Sequence, residues 1–135
     1  MTDLITVIIP TYNKADFISQ TIKSVLQQTY QNFEIVIIDD CSKDNTAQVV
    51  QKYLSDKIRY FRHETNWGPG ATFNDGIEKA NTEYVTLIAS DDVLLPYHLE
   101  YVLNEFKKDN TIETVFPKLK VIDENGKDLN KTITQ

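Results

Sequence analysis

The sequence predicts an α/β fold, a three-layer α/β/α sandwich around a mostly parallel central sheet. Three observations carry that prediction. Short β-branched runs alternate four times with segments of helical periodicity, the pattern of repeated βαβ units. The runs are apolar almost throughout, as strands covered on both faces are. Three of them end in polar residues: Pro10-Thr11-Tyr12-Asn13, Asp39-Asp40, and Ala89-Ser90-Asp91-Asp92. Right-handed crossovers would bring those three ends to one edge of the sheet, where open α/β folds bind ligands.

The elements follow in order. The first strand is Ile5-Thr6-Val7-Ile8-Ile9. Asn13-Lys14-Ala15-Asp16 then reads as a capping box with Asp in place of Glu, and Asn13 as the N-cap. The helix beyond it buries Ile18, Ile22, Val25 and Leu26, and stops near Gln27-Gln28-Thr29. The second strand, Glu34 to Ile38, enters a polar loop through Ser42 and Asp44. A helix carrying Val49, Val50, Tyr53 and Leu54 comes next. The third strand spans about Lys57 to Arg62. A turn-rich loop, His63 to Gly70, precedes a short helix with Phe73, Ile77 and Ala80 inward. The fourth strand, Glu83 to Ile88, reads as buried. Pro96 suits the first turn of a helix with Leu99, Val102, Leu103 and Phe106 on one face. The tail reads as a strand over Glu113–Ile122, a turn at Asn125-Gly126 and a return strand over Asp128–Ile133.

The 135 residues suit one domain, 1–135, or one cut from a longer chain, and no repeat or linker divides them. A hydrophobic content of 41% is enough for a core. The net charge of −6, from 20 acidic and 14 basic residues, argues against a nucleic-acid partner, which would need a basic stripe. No basic or apolar leader is seen, and no apolar run approaches the ~20 residues of a membrane span. The lone Cys41 has no partner for an internal disulfide, in keeping with a reducing compartment. The reading is a soluble, cytoplasmic domain, at the inner face of the membrane if a longer protein supplies an anchor.

The chemistry concentrates at the three strand ends. Past a strand end, Asp91 and Asp92 can diverge, one toward a ribose hydroxyl and one toward a metal. Two unit charges ~4 Å apart repel by about 4 kcal/mol at an effective dielectric of 20, so a divalent cation belongs between this edge and a nucleotide diphosphate. Carboxylate and phosphate oxygens suit Mg²⁺ or Mn²⁺. The bland reading of the pair is a solvated turn. Asp40 can accept from a base edge such as the N3–H of uracil; alternatively Asp39, Asp40 and Ser42 satisfy turn amides. Tyr12 can stack on a base, or be a buried ring with a satisfied hydroxyl. Thr11 can bond ribose or base. The amides that open the helix after Asn66-Trp67-Gly68-Pro69-Gly70 favour an anion. Trp67 reads as a loop anchor and Cys41 as a turn residue. His63 and His98 lack metal-ligand spacing and read as surface or core residues.

Taken together, these pieces resemble the nucleotide-binding half of the family 2 glycosyltransferases. They are Val7-Ile8-Ile9-Pro10-Thr11-Tyr12-Asn13; Asp39 to Thr46; Asn66, Gly68 and Asn74-Asp75-Gly76-Ile77; and Ser90-Asp91-Asp92 with Pro96. The resemblance runs from about Ile5 to Pro96 and implies a GT-A fold. It implies inverting transfer of a sugar from a nucleotide donor, UDP by family habit, to a saccharide or lipid-linked acceptor. It places Pro10, Thr11, Tyr12, Asn13 and Asp40 on the nucleotide, Asp91 on the ribose, and Asp92 on the Mg²⁺ or Mn²⁺ of the diphosphate. Ala89 stands where the family often has Asp, and Phe73 where it often has Arg. No residue here suits the catalytic base, which the resemblance places beyond Gln135 together with the acceptor region. A homodimer stays open.

Two rivals remain at this stage. A receiver domain would need its acidic pair after the first strand and a Lys after the last; the first strand here ends in Pro10-Thr11. A non-catalytic sugar-nucleotide binding module would keep the nucleotide residues and lack turnover.

Overall fold

The computed structural model describes residues 3–133. The element order is β1 (Ile5–Thr11), α1 (Ile18–Leu26), β2 (Phe33–Asp39), α2 (Thr46–Gln51), β3 (Ile58–Arg62), α3 (Pro69–Lys79), β4 (Tyr84–Leu87), α4 (His98–Lys108), β5 (Leu119–Ile122) and β6 (Asp128–Ile133). Two compact units make it up, Met1–His98 and Leu99–Gln135.

In the first unit four strands form one sheet in the order β3-β2-β1-β4, and every pairing is parallel. β1 and β2 are central, and their apolar runs are buried on both faces. Each such Ile or Val contributes roughly 1.5–3 kcal/mol on leaving water. Because β1–β2 and β2–β3 cross over in one direction and β3–β4 in the other, right-handed connections put α1 and α2 on one face and α3 on the other. α1 supplies Ile18, Ile22 and Val25 to its face, as its periodicity predicts, while Leu26, expected inward, ends the helix exposed.

α3 differs from its sequence reading. Its buried residues are Thr72, Asp75 and Gly76, while Ile77 is exposed. Gly76 sits against Ile8 and Ile38, so close that a Cβ there would collide with the Ile8 side chain. The helix lies over β1 and β2 by presenting its smallest residue. β4 differs too. It is an edge strand, α3 does not cover it, and Val85 and Leu87 stay exposed; only Ile88, just past its end, is buried. α2 stops at Gln51, which leaves Leu54 exposed beyond it.

The second unit holds most of α4, with Leu99, Val102 and Leu103 buried, and an antiparallel hairpin of β5 and β6. The tail strand is shorter than the sequence suggested, starting at Leu119. The turn falls at Asn125-Gly126 as expected. Gly126 takes φ 85°, and the Asp123 carboxylate accepts the Asn125 and Lys127 amides, each at 2.9 Å.

Candidate functional site

The three predicted strand ends lie side by side. Thr11 of β1 is opposite Asp39 of β2, and Ile8 is opposite Leu87 of β4. The segment after β2 and the segment after β4 therefore flank the end of β1, about 10 Å apart at two strand spacings. The strand order reverses here, between β1 and β4, the crevice in which open α/β sheets hold ligands.

The β1 end carries four of the predicted residues. Pro10 is half-buried within the strand. Thr11 is 3% exposed, and its Oγ1 is buried without a hydrogen-bond partner; its carbonyl accepts the Asp40 amide at 2.9 Å. Tyr12 is 44% exposed, so the alternative of a buried ring is excluded. Asn13 is not the N-cap of α1. That helix starts at Ile18 without a side-chain cap, and the Asn13–Asp16 capping box does not form. Asn13 instead takes φ 53°, a left-handed turn that Asn tolerates. Its Oδ1 accepts the Lys43 amide at 2.7 Å, and its own amide donates to Ser42 Oγ at 2.9 Å. It binds the β1–α1 loop to the β2–α2 loop.

The acidic pair after β2 divides its work. Asp39 is fully buried and accepts from the Ser42 amide at 2.8 Å and the Tyr60 hydroxyl at 2.5 Å. Burial, aided by Asp39, pushes the Tyr60 phenol well up. Asp40 is also buried. Its Oδ1 accepts the Trp67 amide at 2.7 Å and meets His63 Nδ1 at 2.9 Å, and its Oδ2 accepts the Gly68 amide at 2.9 Å. The expectation of a free carboxylate for a base edge is thereby amended: three of about four lone-pair positions are taken by the β3–α3 loop. The amides that meet an anion are those of Trp67 and Gly68, just before α3, and the anion is Asp40 of the chain itself. Gly68 makes that approach at φ 89°, in the left-handed region.

Beyond Asp40 lies a cluster that sequence spacing did not show. His63 Nε2 meets Asp75 Oδ2 at 2.9 Å, and Lys79 Nζ donates to Asp75 Oδ1 at 2.5 Å. Trp67 stacks on the His63 ring at 3.7 Å and 14°, the loop anchor predicted. Burial, the largest single influence, lowers the imidazole pKa; the bonds to Asp40 and Asp75 together outweigh it, and the net shift is upward. For Asp40 and Asp75 burial again opposes, yet hydrogen bonds, joined at Asp75 by the charges of Lys79 and His63, hold both carboxyls below their usual range.

On the other flank Asp91 pairs with Lys14 at 2.9 Å, both groups partly exposed. The Asp92 carbonyl accepts from Thr21 Oγ1 at 2.6 Å, which fixes the backbone of the turn on α1. Among the described residues no hydrogen bond or ion pair engages the Asp92 carboxylate. Lost hydration, then the charge of Asp91, raises its pKa, and Lys14 partly offsets them. Lys14 was not singled out from sequence; its place beside Asn13, in the loop after β1, was the available signal.

A divalent cation fits this turn. Among the described residues no three acidic, His or Cys side chains converge to hold a metal unaided. Mg²⁺ and Mn²⁺ sites built from one or two carboxylates and substrate phosphates need only a pair such as Asp91-Asp92. An unpartnered carboxylate with a raised pKa beside a second one is where such an ion would relieve repulsion.

A parallel α/β sheet with acidic residues at its strand-order reversal defines an open α/β class of fold with a ligand crevice at that edge. The profile described as glycosyl transferase family 2 matches residues 6–133, and the chain belongs to that family. A Rickettsia felis "uncharacterized glycosyltransferase" is 41% identical over 93% of this chain, which spans 21% of that protein. Streptococcus pneumoniae "glycosyltransferase GlyG" is 31% identical over 88% of the chain, 36% of its own length. Among solved structures, Staphylococcus aureus TarS 1–349 in complex with UDP-GlcNAc superposes at a TM-score of 0.72 with 33% identity, covering 80% of this chain and 32% of that one. The mannosyltransferase PcManGT from Pyrobaculum calidifontis, in complex with GDP-Man and Mn²⁺, superposes at 0.64 with 25% identity over 69% of this chain and 29% of that one. The fold is therefore of GT-A type.

Proposed function

We propose that the chain is the donor-binding part of a glycosyltransferase that takes its sugar from a nucleotide diphosphate, UDP foremost. The observation that carries the reading is the unpartnered Asp92 carboxylate beside Asp91, which the Lys14–Asp91 ion pair ties to the loop that follows β1. The kinship with TarS, seen with UDP-GlcNAc, and with PcManGT, seen with GDP-Man and Mn²⁺, supports it.

In this proposal the exposed Tyr12 ring lies along the base, and the orphaned Thr11 hydroxyl gains a partner from base or ribose. Asp91 leaves Lys14 for the ribose hydroxyls. Pro10 and Asn13 hold the loop between them. Asp40 reads the base through the lone-pair position that its loop partners leave free. Asp92 holds Mg²⁺ or Mn²⁺, which would neutralise the departing nucleotide diphosphate. A saccharide or lipid-linked hydroxyl is the acceptor, and a general base from outside these residues takes its proton. Among the described residues no helix is long and apolar enough to cross a membrane, and action at the cytoplasmic face is the working assumption.

Calorimetry of UDP, GDP and CDP, with and without Mn²⁺, tests the reading. UDP should bind only with metal, and Asp92→Ala should weaken it by about tenfold or more, ~1.4 kcal/mol. Equal affinity in EDTA would overturn the metal assignment. Turnover by the full-length protein separates an enzyme from a binding module, the reading that Phe73 in place of the family's Arg favours.

A further inference from the structure

His63, just past β3, is 6% exposed, and each ring nitrogen meets a carboxylate: Nδ1 meets Asp40 Oδ1 and Nε2 meets Asp75 Oδ2, both at 2.9 Å. An ionised carboxylate only accepts, so both contacts are hydrogen bonds only when the ring carries two protons. A neutral ring would turn one buried lone pair toward another. Both carboxylates have other donors: Trp67 and Gly68 amides for Asp40, and Lys79 for Asp75.

The charged surroundings agree. Asp40 faces the ring from the end of β2, and Asp75 faces it from α3 with Lys79 behind. On its own segment Arg62 is turned away, donating to the Ser42 carbonyl at 3.0 Å, and lies 3.9 Å from Asp39. Glu64 lines the cleft beside the ring, and Lys43 is drawn to Cys41 Sγ at 3.4 Å. The pair of carboxylates dominates. Trp67 lies over the ring and is still 54% exposed. Three segments distant in sequence thus meet at one imidazole.

We propose that His63, held as an imidazolium between Asp40 and Asp75, is a positioning residue that fixes the Trp67–Gly68 segment against the end of β2 and releases it on losing its proton. Asp40 carries the effect toward the nucleotide, because its amide is bonded to the Thr11 carbonyl. That last consequence, and only that, rests on the donor-site reading above.

Trp67 is the chain's single tryptophan, and a stacked imidazolium quenches indole emission, so fluorescence reports the latch without any ligand. Emission should rise with pH in one step, with a midpoint above the ordinary histidine value of 6.5. Asp75→Asn should move the midpoint down, and His63→Gln should abolish the step. Across the same step, hydrogen exchange at the Trp67 and Gly68 amides in the wild-type chain should quicken by at least about tenfold beyond the rise that base catalysis gives every amide, the scale of one lost bond to a charged group. The wild-type measurements stand even if a variant fails to fold. Emission flat from about pH 5 to 9, or exchange at the two amides rising no faster than base catalysis alone dictates, would overturn the proposal. UDP affinity measured with Mn²⁺ should fall across the step. Affinity unchanged there would overturn the link to the nucleotide. Absence of UDP binding at every pH would sink the donor reading instead, while emission and exchange still decide the latch.

Discussion

Asp92 and Lys14 show what single side chains contribute at this edge. Asp92 carries a carboxyl whose pKa lies above its ordinary 3.8, raised by lost hydration and by Asp91. Its protonated form competes with any cation. Mn²⁺ affinity of the free chain should therefore rise with pH through that raised value and then level, which calorimetry at a series of pH values would reveal. Affinity already level at pH 3.8 would remove Asp92 from the cation. Lys14 acts in the opposite sense. Its ion pair with Asp91 is partly exposed, so Lys14→Met should change stability by no more than about 1 kcal/mol. The same change removes a positive charge from beside the acidic pair. At ~4 Å in water such a charge repels a divalent cation by about 2 kcal/mol, so Mn²⁺ should bind roughly thirtyfold tighter. Unchanged Mn²⁺ affinity in Lys14→Met would place the cation elsewhere.

Helix α3 is where sequence pattern and structure part. Strands β1 and β2 and helix α1 were legible because each is a local hydrophobic pattern, and burial follows that pattern. In α3 the inward residues are Thr72, Asp75 and Gly76, because proximity to the sheet and contact with His63 outrank apolarity. Phe73 and Ile77 made a plausible apolar face that the helix does not bury. The site divides the same way. Strand ends at 10–13, 39–40 and 91–92 were readable, since parallel topology fixes their edge. The partners of Asp40 were not, because His63, Trp67 and Gly68 share no local spacing with it. Asn13 misled by type: Asn serves equally well as an N-cap and at positive φ. Gly76→Ala tests the close approach directly. Its Cβ would displace the Ile8 side chain, an overpacking cost of about 1–3 kcal/mol. Ala regains up to ~1 kcal/mol of helix propensity. A net loss is expected in the denaturation midpoint, and a raised midpoint would show that α3 yields freely.

For the molecule as a whole the titrating groups predict a stability maximum rather than a plateau. Folding raises the pKa of His63, so its contribution is complete below its unfolded value of 6.5 and is lost as pH climbs through the higher folded value. Folding lowers those of Asp40 and Asp75, so theirs is complete above the unfolded 3.8 and is lost as pH falls through the lower folded values. His98, the other of the chain's two histidines, has its pKa lowered by burial. Its contribution is complete only above 6.5 and falls away on acidification from there. The melting temperature should therefore climb from acid pH toward 6.5 and decline beyond it, as His63 gives up its proton. Calorimetric scans of wild type and His63→Gln separate the two histidines. The variant should lose the alkaline decline and keep the part of the acid limb set by His98, while the part set by Asp40 and Asp75 shrinks with the loss of the His63 hydrogen bonds. A wild-type melting temperature that goes on rising above the histidine range would mean that His63 is neutral in the folded chain. The Asp40–His63–Asp75 bridge would then hold by one hydrogen bond instead of two.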